Sequence, residues 1–147
     1  MSSIGLAAFA IRIRNRRQRQ RQNLDSFNDR DDFFDILNMY LANQQARHGE
    51  LVGLQKLFKV DNLMTNGRVI KGIIKTGEYG YETDLINAAT GIETYHRNTD
   101  EAELLPFYFV AFIPNGSDEG ILLLQRFKQF GITGVFREIV QRRFNRS

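Results

Sequence analysis

The chain has 147 residues, 42% of them hydrophobic and 25% charged, which suits one globular domain with a real core. It contains no cysteine, which excludes disulfides, thiolate metal sites and a cysteine nucleophile. Charge is segregated: the first 21 residues carry six arginines and no acid, the stretch from Gly120 onward stands at +5, and the 98 residues between them hold −8 of a total of +3.

The longest nearly apolar runs, Ile4–Ile11 and Leu104–Ile113, fall far short of the roughly 20 residues a membrane helix needs. The apolar start precedes the arginines, the reverse of a secretory signal. These features read as a cytoplasmic protein without a membrane partner.

Ile11-Arg12-Ile13-Arg14 alternates apolar and charged residues, the period of a half-buried strand, and the pattern extends back to Ile4. Residues 15–22 hold Arg16, Arg17, Arg19 and Arg21 among polar residues and read as an exposed loop or strand extension. A helix follows, with Asn28 or Asp29 as its cap. Phe33, Phe34, Leu37, Tyr40 and Leu41 form its buried stripe, and Gly49 is its stop.

Leu54–Val60 suits a short strand, and Asn66-Gly67 a turn before a strand over Arg68–Thr76. Gly77–Gly80 reads as a tight reversal into Tyr81–Asn87, with a further strand at Ile92–Arg97 and an acidic loop at Asn98–Glu103. The continuous apolar run Leu104–Ile113 predicts a strand buried on both faces. Pro114–Ser117 turns the chain into a partner strand over Glu119–Arg126, and Gly131–Phe144 fits a helix with Ile132, Val135, Phe136, Ile139 and Val140 on one side. The expected architecture is one α+β domain over residues 1–147, with a mostly antiparallel sheet of about six or seven strands and two helices packed on one face. The end at Ser147 suits either a natural terminus or the amino-terminal part of a longer protein.

Chemical motifs are sparse. Glu93 and His96, three apart on a strand, should point to opposite faces, which is wrong for a shared metal. Glu82 and Asp84 share a face and could hold Mg²⁺, but the chain has no acid–x–lysine pair to complete a nuclease site. The glycines form no phosphate loop ahead of a helix, Gly131 and Gly134 offering at most a secondary anion site. No serine–histidine–aspartate set can be assigned. Neither a catalytic residue, a metal nor a cofactor is expected.

Leu104, Pro106-Phe107-Tyr108 and Pro114, followed by Gly120–Phe127 and Phe130-Gly131-Ile132, are similar to a strand–turn–strand–helix segment in uncharacterised bacterial proteins associated with mobile elements and phage defence. The likeness covers about 30 residues of mainly hydrophobic pattern. It implies an amino-terminal recognition domain whose effector lies elsewhere, and it brings no catalytic residues.

The basic ends are therefore the leading functional feature. Arginine's planar fork donates two parallel hydrogen bonds to phosphate and keeps its charge. The expected function is non-catalytic nucleic-acid binding, to DNA or RNA, by Arg12, Arg14, Arg16, Arg17, Arg19 and Arg21, extended by Arg126, Lys128, Arg142 and Arg143. This expectation requires the two ends to converge. The alternative is an oligomerisation or protein-docking module, in which the basic ends meet acidic segments such as Asp29–Asp35 or Asp100–Glu103 of an acidic protein or of a second copy.

Overall fold

The computed structural model describes residues 4–14, 20–28, 30–46, 48–51, 54–127 and 130–145. Their elements, in chain order, are β1 (Ile4–Ile11), β2 (Ile13–Arg14), β3 (Arg21–Gln22), α1 (Phe33–Ala46), β4 (Gly49–Leu51), β5 (Lys56–Asn66), β6 (Val69–Glu78), β7 (Thr83–Ile86), β8 (Glu93–Arg97), β9 (Leu105–Phe112), β10 (Gly120–Phe127), β11 (Phe130–Gly131) and α2 (Thr133–Asn145). The fold is α+β, as expected. Six strands form one antiparallel sheet in the order β1-β10-β9-β6-β5-β4, and β11 adds to the end of β10. β2 pairs with β3 and β7 with β8 as separate two-stranded ribbons.

Period-two alternation decides which face is covered. Phe58 and Val60 of β5, Ile70 and Ile74 of β6, Phe107, Phe109 and Ala111 of β9, and Leu122 and Leu124 of β10 point inward. They pack with Phe33, Leu37 and Leu41 of α1 and with Val135, Phe136 and Ile139 of α2. Phe109 meets Phe136 with ring centroids 5.7 Å apart. Both helices therefore cover the same face, and each fully buried large side chain stabilises by about 1.5–3 kcal/mol.

The cap of α1 is Asp32, not Asn28 or Asp29. Its Oδ1 accepts from the Phe34 N–H at 2.9 Å, and its backbone oxygen accepts from Ile36. Asn28 sits outside the helix at φ 53°, and Asp29 lies outside the described residues. The cap is chosen by a long-range partner. The Arg68 fork binds both Asp32 oxygens, at 2.6 and 2.9 Å, donates from Nε to the Ile113 carbonyl at 2.8 Å, and lies 4.8 Å from the Phe34 ring. One side chain thus ties the helix start to the β5–β6 turn and to the end of β9. The Arg68 hydrogen bonds hold the Asp32 carboxyl below its usual range, and Asp32 raises Arg68 in return.

Three further expectations are corrected. Gly49 is not a helix stop but opens β4, where an added Cβ would overlap the Phe58 ring. Gly77 does not begin a reversal. β6 runs through it to Glu78, and the Glu103 carbonyl passes so close that no side chain fits. β6 pairs with β9, whose apolar run joins the core, and β7 turns to β8 instead. Finally, β9 is buried on one face only.

Candidate interaction surface

The uncovered face of the sheet follows from the same alternation that builds the core. Ile4, Leu6, Ala8 and Ala10 of β1, Ile121 and Leu123 of β10, and Tyr108, Val110 and Phe112 of β9 point away from the helices. The register sets them in rows: Ala10 beside Ile121 beside Phe112 beside Val69, and Ala8 beside Leu123 beside Val110, with Lys71 closing the second row. Leu6, Ile4, Tyr108, Ile121 and Phe112 are 67, 61, 58, 51 and 40% exposed. Met64 on β5 is also exposed but lies beyond Lys71, its partner in register, so the apolar half-face is the part built by β1, β10 and β9, and a contiguous exposed apolar face marks an interaction surface.

The far half of this face is charged. Asp61 accepts from Lys75 at 2.8 Å and lies 3.6 Å from Lys59, and the Lys75 hydrogen bond holds its carboxyl below the usual range. A β-bulge between Asp61 and Met64, with Asn62 at φ 52°, opens a hollow of about 510 Å³ between the two halves. Leu63, Met64, Ile73, Tyr108 and Val110 line it, together with Asn62 and Lys71.

β1 is the sheet's edge and bears no charge and no proline from Ile4 to Ile11. Edge strands left to solvent are commonly blunted by such residues. Arg12 and Arg14 come only after the strand ends.

The arginines divide. Arg12, Arg14 and Arg21 gather beyond the Ile11 end of β1, where Arg14 pairs in register with Arg21. Arg12 donates to Glu119 at 3.1 Å, and Arg21 lies 3.9 Å from Asp118 and 4.0 Å from Glu119. Within the chain, Arg12 and Arg21 thus meet the acids of the β9–β10 turn. Arg126 stands opposite Gly5, at the other end of β1, six residues or about 20 Å from Ile11. α2 runs back toward the Arg12 end: Arg12 and Arg137 line one cleft of about 290 Å³ with Phe9, Leu122, Phe136 and Val140. Arg142 and Arg143 lie in the last turns of α2, but their side chains are outside the described residues, as are Arg16, Arg17, Arg19 and Lys128.

The β7–β8 ribbon corrects the reading of His96. Leu85 pairs with Tyr95 but Ile86 pairs with Glu93, so Thr94 is an extra residue in β8. That bulge returns Glu93 to the face of His96, and ligand atoms of Asp84, Glu93 and His96 lie within 4.8 Å of one another. His96 Nδ1 is 2.6 Å from Asp84 Oδ1, and Nε2 is 3.8 Å from Glu82. The Asp84 hydrogen bond, helped by the charges of Glu82 and Glu93, raises the His96 pKa. When the imidazole is protonated, it forms an exposed ion-pair cluster with Asp84, Glu82 and Glu93.

The outward aromatics of β9 and the Asp118–Glu119 partners were both missed in the sequence. The alternation Lys71-Gly72-Ile73-Ile74-Lys75 on β6 was the available signal that one sheet face is open. Comparison with protein-family models, with curated proteins and with solved structures finds no match for this chain.

Proposed function

We propose that this chain is a non-catalytic binding module that pairs with a second copy of itself, outer sheet face against outer sheet face. The observation that carries this reading is the uncovered apolar half-face of β1, β10 and β9. A strand as apolar as β9 belongs in a two-sided core, and the monomer covers one side. Stacking two twisted antiparallel sheets about 10 Å apart is the ordinary way to bury such faces. A second copy suits the patch because it is nearly free of charge, so it asks for no oppositely charged partner. A two-fold pairing also closes without leaving a copy of the patch open. The hollow beside Tyr108 gives an outward side chain of the other copy a place to seat.

Light scattering behind size-exclusion chromatography tests this. The expected result is twice the chain mass at micromolar concentration, little changed by salt, and monomers for Phe112→Glu or Tyr108→Glu with unaltered circular dichroism. A monomer at every concentration, or a dimer that survives both substitutions, overturns it. A dimer dissolved by salt favours pairing of basic and acidic segments instead.

Nucleic-acid binding by the basic ends is a second proposal. It is supported by the gathering of Arg12, Arg14 and Arg21, with α2 approaching them. Two observations narrow it: Glu119 and Asp118 already engage Arg12 and Arg21, and Arg126 is distant. Fluorescence anisotropy with duplex and single-stranded oligonucleotides tests it. Log affinity should fall with log salt at a slope near −0.7 to −0.9 per phosphate. Asp118→Asn with Glu119→Gln should tighten binding, and Arg12→Ala with Arg14→Ala should weaken it. Equal affinity in all three forms refutes these residues.

A further inference from the structure

Arg97 ends β8, and it alone of that strand's five residues is buried, at 7% exposure. Its surroundings do not satisfy it. Nη1 donates one long bond, 3.4 Å, to the Glu78 carbonyl, and the guanidinium lies 4.5 Å from the Tyr81 ring. Nε and Nη2 are closed off from solvent and have no hydrogen-bond partner. Buried polar groups are nearly always paired, and a guanidinium does not escape by losing its proton. A buried charge lacking a counterpart is among the costlier defects a fold can carry.

The two orphaned donors are not a random pair. Nε–H and Nη2–H share one edge of the fork and point in parallel, the geometry that matches two oxygens of one oxyanion. Arg97 also forms the partition between two cavities. One, of about 370 Å³, is lined by Lys56, Thr76, Glu78, Tyr81, Glu103, Leu105 and Phe107. The other, of about 200 Å³, has Thr83, Leu85, Tyr95, Glu101, Ala102 and again Glu103 in its wall. The larger is within the size range of small-molecule sites.

We propose that the larger cavity is a binding site for a small monocarboxylate with a flat apolar body, its carboxylate taken by the Nε–Nη2 edge of Arg97 and its body laid against Leu105 and Phe107. Lys56 adds a second cation in the wall. Glu78 and Glu103 stand there too, yet neither accepts from the two free donors. They oppose a dianion such as a phosphate monoester more than a monoanion, which sets the ligand class. Tyr81 is 47% exposed and stacked on the guanidinium, so it is the side chain that shifts to admit a ligand. This site is remote from the β1 edge and independent of self-pairing.

Benzoate is the probe, with inorganic phosphate and benzylamine as controls. Arginine side-chain ¹⁵N resonances and the thermal midpoint of the full chain are the readouts. At millimolar benzoate the Arg97 Nε–H signal should shift and the midpoint should rise, since a ligand that binds only the folded state stabilises it. Phosphate and benzylamine should do neither. Arg97→Met should weaken benzoate binding by about tenfold or more. If Arg97→Met does not fold, Leu105→Glu, which sets a further carboxylate in the cavity wall from an exposed position, must abolish the response. No benzoate response at tens of millimolar, an equal response in Arg97→Met, or an equal response to phosphate overturns the proposal.

Discussion

The two faces of the one sheet share strands and register, yet they have opposite fates. On the inner face Phe107, Phe109 and Ala111 alternate with outward Tyr108, Val110 and Phe112, so each β9 face receives similar residues. The inner set is buried because α1 and α2 lie across it. The outer set is open because no element of the described residues returns there. The helices choose their side through specific ties. Asp32–Arg68 anchors α1 at the β5–β6 turn, and Ile132, Val135, Phe136 and Ile139 seat α2. Residue type therefore does not separate core from surface in this strand. Connectivity does, and the residues left over form the surface offered to a partner.

The sharpest way to break the comparison is to remove equal groups from its two sides. Phe109→Ala should cost about 3–5 kcal/mol in urea unfolding, the transfer and cavity terms together. Phe112→Ala should change monomer stability by no more than about 0.5 kcal/mol while weakening self-association. Equal losses would mean that the outer face is part of the core.

The next largest effect is on the tie that sets the helices' side. Arg68→Ala should destabilise by about 2–3 kcal/mol, since it leaves a partly buried carboxylate without its fork. Because the folded Asp32 pKa is depressed, its contribution is complete above the unfolded value near 3.8 and is lost as pH falls through the lower folded value. Melts at pH 6 and in the acid range should show this slope for the native chain and a reduced slope for Arg68→Ala. Gly77→Ala should cost about 1–3 kcal/mol, because the Glu103 carbonyl must move to admit a methyl group.

The smallest effect is on the β7–β8 ribbon, and it is spectroscopic. His96 should titrate above the ordinary histidine value by proton NMR, and Asp84→Asn should bring it down. Its folded pKa is raised, so any stabilisation is complete below the unfolded value and fades as pH rises through the folded one. A native His96 that titrates at the ordinary value would remove the ion-paired account of that cluster.

Much of the fold was legible. The apolar run from Ile4 to Ile11, the Asn66-Gly67 and Pro114–Ser117 turns and the helical stripe from Phe33 to Leu41 all mark local structure through local chemistry, although the strand read on to Arg14 breaks at Arg12. What misled was non-local. Asp32 looked like one of several acids until Arg68, 36 residues away, selected it. The Glu93–His96 spacing looked wrong until a bulge changed the phase of β8. The apolar run of β9 announced burial without saying on how many sides.

The candidate surfaces split the same way. The sequence by itself determined that arginines crowd both ends, because composition needs no geometry. Tertiary structure alone decided that Arg126 stands a strand's length from Arg12, that Glu119 and Asp118 meet Arg12 and Arg21, and that Arg97 is buried with two donors idle. The physical reason is that alternation and turn chemistry act between neighbours in the chain. Which face is covered, and which charge finds a partner, depends on segments brought together only when the sheet closes.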